Sequence, residues 1–133
     1  MRYFVTSVFA ISLLGSSAAM AQQVDCANPL TQSDMNICAA DMYRAADGDL
    51  NLAYRMATAK AREMDQYVAA GEVTNLDMLR DAQRAWIPFR DKACSAESNL
   101  ARGGSMQPLL FHTCLERLTR QRTQDLRFFG EVN

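Results

Sequence analysis

The 133-residue chain carries 14 Lys and Arg against 15 Asp and Glu, a net charge of −1, and 49% of its residues are hydrophobic. That hydrophobic share excludes a disordered tail protein. The near-neutral charge excludes a dedicated nucleic-acid binder, which would show a strongly basic face, and a single His excludes a His-rich metal or relay site.

Residues 1–21 read as a cleaved secretory signal peptide. Arg2 supplies the charge, Phe4 to Leu14 is mostly apolar, and Ala19-Met20-Ala21 has the A-x-A form of a cleavage site. The apolar run is too short for a comfortable membrane span. Cys26 falls five residues past that cut rather than at it, so a soluble exported chain is expected, not a lipid-anchored one, with no membrane span after cleavage. The domain is then 22–133, and its charge is uneven. Residues 22–79 hold nine acidic and four basic side chains, a net of −5. Residues 80–133 hold six acidic and nine basic, a net of +3.

Residues 22–30 read as an extended lead-in, because Pro29 and the Asn28 before it resist helix. Residues 31–70 then read as one long helix. Thr31 and Asp34 make a near capping box, and Tyr43, Leu50, Ala57 and Met64 recur at steps of seven with Tyr54, Ala61 and Val68 beside them. The stripe keeps its phase across Gly48, which favours one helix over two hinged at Asp47-Gly48-Asp49. Gly71 is the expected C-terminal stop.

Thr74 is the expected N-cap of a second helix, with Asp77 three residues on. Leu79, Ala82, Trp86, Phe89, Ala93 and Leu100 read as its apolar stripe, with a kink expected at Pro88. Gly103-Gly104 is the clearest turn in the chain. Ser105 reads as the N-cap of a third helix that buries Phe111, Leu115, Leu118, Leu126 and Phe129 and ends at Gly130. The fold class is therefore all-α: an antiparallel up-down bundle of three long helices.

Four Cys in an exported chain of this size read as two disulfides, although four Cys allow three pairings. Cys94 lies ten residues before Gly104 and Cys114 ten residues after it. In an antiparallel hairpin they sit at one height, as a disulfide needs. Cys26–Cys38 is the remaining pair, stapling the lead-in to the first helix. No C-x-x-C spacing supports a redox or metal role.

With the Cys placed, the chain resembles the exported bacterial family named lysozyme inhibitor LprI-like (its N-terminal domain). The resemblance rests on Cys26, the run Thr31 to Ala39, Ala46-Asp47, Leu50 to Tyr54, and above all Ala82-Gln83-Arg84-Ala85-Trp86-Ile87-Pro88-Phe89-Arg90-Asp91. Cys94, Glu97, Gly103-Gly104-Ser105, Pro108, Cys114, Thr119, Arg122 and Leu126 complete it. The resemblance covers essentially all of 22–133. It implies a helical, disulfide-bonded exported domain, and it suggests lysozyme as a protein partner.

Two groups of residues are candidates for a site. The first is polar: Asn36, Asp47 and Asn51 on the first helix, Gln83, Arg84, Trp86, Arg90 and Asp91 on the second, and Arg122 on the third. It reads either as an interhelical network around a packed Trp86 or as a recognition patch, since Trp and Arg are favoured at hot spots. The second is the tip Arg102, Gly103, Gly104 and Ser105. It reads as a plain turn or as a contact surface that enters a muramidase cleft, with backbone N–H groups, the Ser105 hydroxyl and Arg102 as donors. Residues 22–133 hold six Met; Met35, Met42 and Met56 fit helical core spacing, as gap-fillers, better than a copper site of Met35, Met42, Met106 and His112. No nucleophile with a base, phosphate loop or H-E-x-x-H is present. The expectation is a binding protein with no catalytic residues, metal or cofactor. An inhibitor of lysozyme-type muramidases is the first reading. An envelope adaptor for another bacterial protein is the second.

Overall fold

The computed structural model describes residues 24–131. The expected signal peptide lies outside these residues. Among them are three long helices: α1 (Gln32–Met64), α2 (Asn75–Ser98) and α3 (Gln107–Glu131). Short 3₁₀ turns at Asp65–Tyr67 and Asn99–Ala101 end α1 and α2.

The helix starts follow from capping chemistry. At Thr31 the Oγ1 accepts the Asp34 N–H at 3.1 Å, and Asp34 Oδ2 accepts the Thr31 N–H at 2.9 Å. This reciprocal pair satisfies two donors left over at a helix N-terminus. At Thr74 the Oγ1 accepts from the Asp77 N–H at 3.1 Å. Helix α1 runs unbroken through Gly48, and α2 continues through Pro88.

Four boundary expectations are corrected. Helix α1 stops at Met64 and not at residue 70, because the next residue serves α2 instead. Asp65 accepts the backbone N–H groups of Asn75 at 2.6 Å and Leu76 at 3.3 Å, which turns the chain back. Gly71 sits in the connecting turn with φ +92°. Ser105 is not the cap of α3, which begins at Gln107. Gly130 lies inside α3 and marks a close approach: a Cβ there would come within 3.3 Å of the Ala57 backbone N. The lead-in is bent rather than extended, since Asn28 N–H donates to the Asp25 carbonyl at 3.2 Å.

Helix α2 runs antiparallel to the other two, and α1 and α3 lie side by side in parallel, paired from Asn36 with Ser105 to Ala57 with Gly130. What lets α1 and α3 approach is a seam of buried small residues on α1: Ala39, Ala46, Ala53, Ala57 and Ala61. The core has two apolar clusters. One gathers Leu50, Ala53, Ala57, Ala61, Leu79 and Leu126; the other gathers Cys94, Cys114 and Leu115. Fully burying a residue such as Leu126 contributes about 1.5–3 kcal/mol. Between the clusters lies a buried polar layer of Gln83, Arg90, Thr119 and Thr123. Disulfides join Cys26 to Cys38 and Cys94 to Cys114, each with Cα atoms 5.4 Å apart.

The stripe expected to bury α2 is largely outside. Ala82, Phe89 and Leu100 are exposed, and the buried line is Leu79, Gln83, Arg90, Cys94 and Ser98. Met64 at the end of the α1 stripe is exposed as well, and so are Met35, Met42 and Met56, expected in the core: α1 buries its alanine seam instead.

Candidate functional site

The polar candidates separate into three places. At mid-bundle, Arg90 is 7% exposed. Its guanidinium lies between two rings, 5.4 Å from the Tyr43 centroid and 5.1 Å from that of Trp86. Nε donates to Asp91 Oδ1 at 2.9 Å, and Nη1 points to Thr119 Oγ1 at 3.4 Å and Asp47 Oδ1 at 3.6 Å. Asn51 Nδ2 holds the other Asp47 oxygen at 3.1 Å. One cation thereby ties α2 to both α1 and α3. A second link sits toward the far end, where Arg122 Nε donates to Gln83 Oε1 at 3.1 Å.

Arg84 belongs to neither. It is exposed and faces only Asp81 on its own helix, 3.7 Å away. Asn36 stands at the opposite end, where its Nδ2 donates to the Ser105 carbonyl at 3.0 Å. Tyr43 and Thr119 complete the Arg90 clamp without having been sequence candidates for it. Thr119 was legible in principle, since it follows buried Leu115 by one helical step of four. Burial raises the Tyr43 phenol above its ordinary value of 10.0, opposed by the Arg90 charge and reinforced by Asp47 and Asp91.

The tip residues Arg102, Gly103, Gly104 and Ser105 are all exposed. They form a braced turn. Gly103, at φ +73°, donates its N–H to Gln107 Oε1 at 2.9 Å, and Gly104 donates to the Ala101 carbonyl at 2.9 Å. Gln107 Nε2 in turn reaches Asn99 Oδ1 at 3.3 Å. The two glycine N–H groups are therefore occupied inside the turn, which removes them as donors to a partner. Arg102 touches only Asn99 Oδ1, at 3.5 Å. Met106 beside it is 49% exposed.

Next to the tip is a cleft of about 590 Å³ between the end of α2 and the start of α3. Ser95, Asn99 and Gln107 give it polar walls, and Pro108, Phe111 and His112 an apolar one. His112 stacks on Tyr43 with ring centroids 6.3 Å apart, and its Nδ1 is buried without a hydrogen-bond partner. Burial, and secondarily the Arg44 charge, lower its pKa below 6.5. No group of three or more His, Cys, Asp or Glu able to hold a metal occurs among the described residues.

The acidic bias of the first half is partly neutralised by pairing. Asp47 meets Arg90 at 3.6 Å and Asp49 meets Arg120 at 3.9 Å, both cations from the second half. No helix among the described residues is long and apolar enough to cross a membrane.

A family model described as lysozyme inhibitor LprI matches residues 25–126. A curated protein of Rhizobium meliloti (strain 1021), itself named as uncharacterized, is 44% identical over 125 residues, spanning 89% of this chain and 90% of its own. The crystal structure of a DUF1311 family protein from Pseudomonas putida KT2440 superposes with a TM-score of 0.66 at 22% identity, over 77% of this chain and 97% of that one. At that identity the likeness speaks for the fold.

Proposed function

Since the chain belongs to the lysozyme inhibitor LprI family, we propose that it is an extracytoplasmic binding protein that inhibits lysozyme-type muramidases. Two disulfides with no free cysteine among the described residues fit an oxidising compartment. In this reading the molecule is a binder with no chemistry of its own.

The observation that carries the mode of action is the braced tip. Arg102 stands exposed on a turn whose backbone is held by Gln107 and by Asn36 from α1. A turn fixed before binding loses little entropy on docking. Glycoside hydrolysis uses a pair of carboxylates flanking the scissile bond. A guanidinium delivered into that cleft pairs with a carboxylate, and a charge-assisted bond of this type contributes about 1.5–3 kcal/mol. The Ser105 hydroxyl and the Met106 side chain border the same contact.

The test is lysis of a peptidoglycan suspension by lysozymes of several structural types, with the purified exported protein added. Wild type slows lysis at micromolar protein. Arg102→Glu loses that effect at an unchanged melting temperature. Lysis indifferent to wild-type protein for every lysozyme type overturns the reading. Capture of a bacterial envelope protein under those conditions is the result expected of an adaptor.

A further inference from the structure

We propose that the exposed face of α2 binds a second copy of this chain, forming a twofold dimer about Phe89. At 3.6 residues per turn, this face lies about 120° around α2 from the buried line through Leu79, Gln83, Arg90 and Cys94. It is an unbroken apolar stripe centred on Phe89, which is 62% exposed. Ala85 and Ala93 lie four residues to either side, Ala82 and Ala96 seven, and Met78 and Leu100 eleven. The pattern of sizes reads the same in both directions. Two antiparallel copies related by a twofold axis need such a palindrome, because each patch must complement itself.

The relief of the surface fits the same axis. At the Met78 end, α2 and α3 enclose a groove of about 450 Å³ lined by Met78, Ala82, Phe128 and Phe129. At the other end Leu100 protrudes, 86% exposed. Knob and groove sit at nearly equal distances from Phe89, about 16 Å along the axis to Met78 and about 17 Å to Leu100, which lies in the 3₁₀ turn that ends α2. The twofold therefore places each Leu100 in the other copy's groove, over Phe128, which is 74% exposed.

The face is about 34 Å long and two helices wide, roughly 20 Å. That is on the order of 700 Å² per copy, near the roughly 800 Å² of a standard interface.

Sedimentation equilibrium of the protein produced from its full sequence tests the proposal. Wild type is expected to reach the mass of two chains as concentration rises. Phe89→Glu is expected to weaken association at least about thirtyfold, the loss of a central aromatic anchor, with an unchanged circular dichroism spectrum because the side chain is exposed. Leu100→Glu, at the end of the stripe, is expected to weaken the dimer as well, again with an unchanged circular dichroism spectrum because Leu100 is exposed. A single-chain mass throughout, or a dimer indifferent to Phe89→Glu or to Leu100→Glu, overturns the proposal. None of these outcomes depends on whether lysozyme is inhibited.

Discussion

Replacing Arg90 by Ala tests whether the buried guanidinium holds the three helices in register. The substitution removes two buried methylenes, at about 0.8 kcal/mol each. It also removes two cation–ring contacts, at 5.4 Å to Tyr43 and 5.1 Å to Trp86, each contributing about 0.5–1 kcal/mol. Thr119 Oγ1 loses its partner inside the core. The two ion pairs add little, because Asp47 and Asp91 have side chains 42% and 50% exposed and exposed pairs contribute about 0–1 kcal/mol. The expected destabilisation is about 3–4 kcal/mol. It is read as a shift of the urea midpoint at constant slope. Arg90→Lys keeps the charge and loses the stacked plane, and is expected to cost about half as much. Because stacking and burial dominate, raising salt to about 1 M, where the Debye length is about 3 Å, should leave the difference nearly unchanged. A cost below about 1 kcal/mol, or one that salt abolishes, would refute a clamp built on stacking.

Gly48→Ala should stabilise the domain by about 1 kcal/mol, since the residue sits mid-helix with no atom within 4 Å of an added Cβ; thermal unfolding reads this directly. Gly130→Leu should do the opposite, by about 1–3 kcal/mol, because its Cβ meets the Ala57 backbone at 3.3 Å and α3 must move. Opening Cys94–Cys114, as the double Ser variant, frees a 20-residue separation, which the chain-entropy model values at about 3 kcal/mol. Folded His112 gives up its proton below the usual 6.5, so the unfolded chain binds protons more readily beneath that pH. Stability should therefore fall as pH drops below 6.5, and His112→Gln should flatten that part of a urea-midpoint profile against pH.

Most of the fold was legible because local chemistry and global packing agree. Thr31 with Asp34, and Thr74 with Asp77, announce helix starts that the structure keeps. Equal spacing about Gly104 announces the Cys94–Cys114 bridge. The end of α1 was not legible, because Asp65 reaches the N-terminus of a different helix, and a contact ten residues distant leaves no local mark. The seam of α1 was under-read for a related reason. Ala39, Ala46 and Ala53 are weakly hydrophobic, and their burial shows only once α3 is laid against them.

Helix α2 is where periodicity pointed to the wrong face, and the cause is physical. Its most apolar line, through Ala82, Phe89 and Leu100, competes with a line holding Gln83, Arg90 and Ser98. A ranking by hydrophobicity alone buries the first. Two constraints bury the second: the disulfide turns Cys94 inward toward Cys114, and Arg90, one turn before Cys94, finds Tyr43 and Trp86 to stack on. Once Cys94 faces α3, residues four and eleven positions earlier must share its side, and these are Arg90 and Gln83. The cost of enclosing them is offset by aromatic faces, by Thr119 and by the bond from Arg122. The same rotation turns Phe89 outward, so the apolar surface left on α2 is a consequence of where the sulfur bridge points.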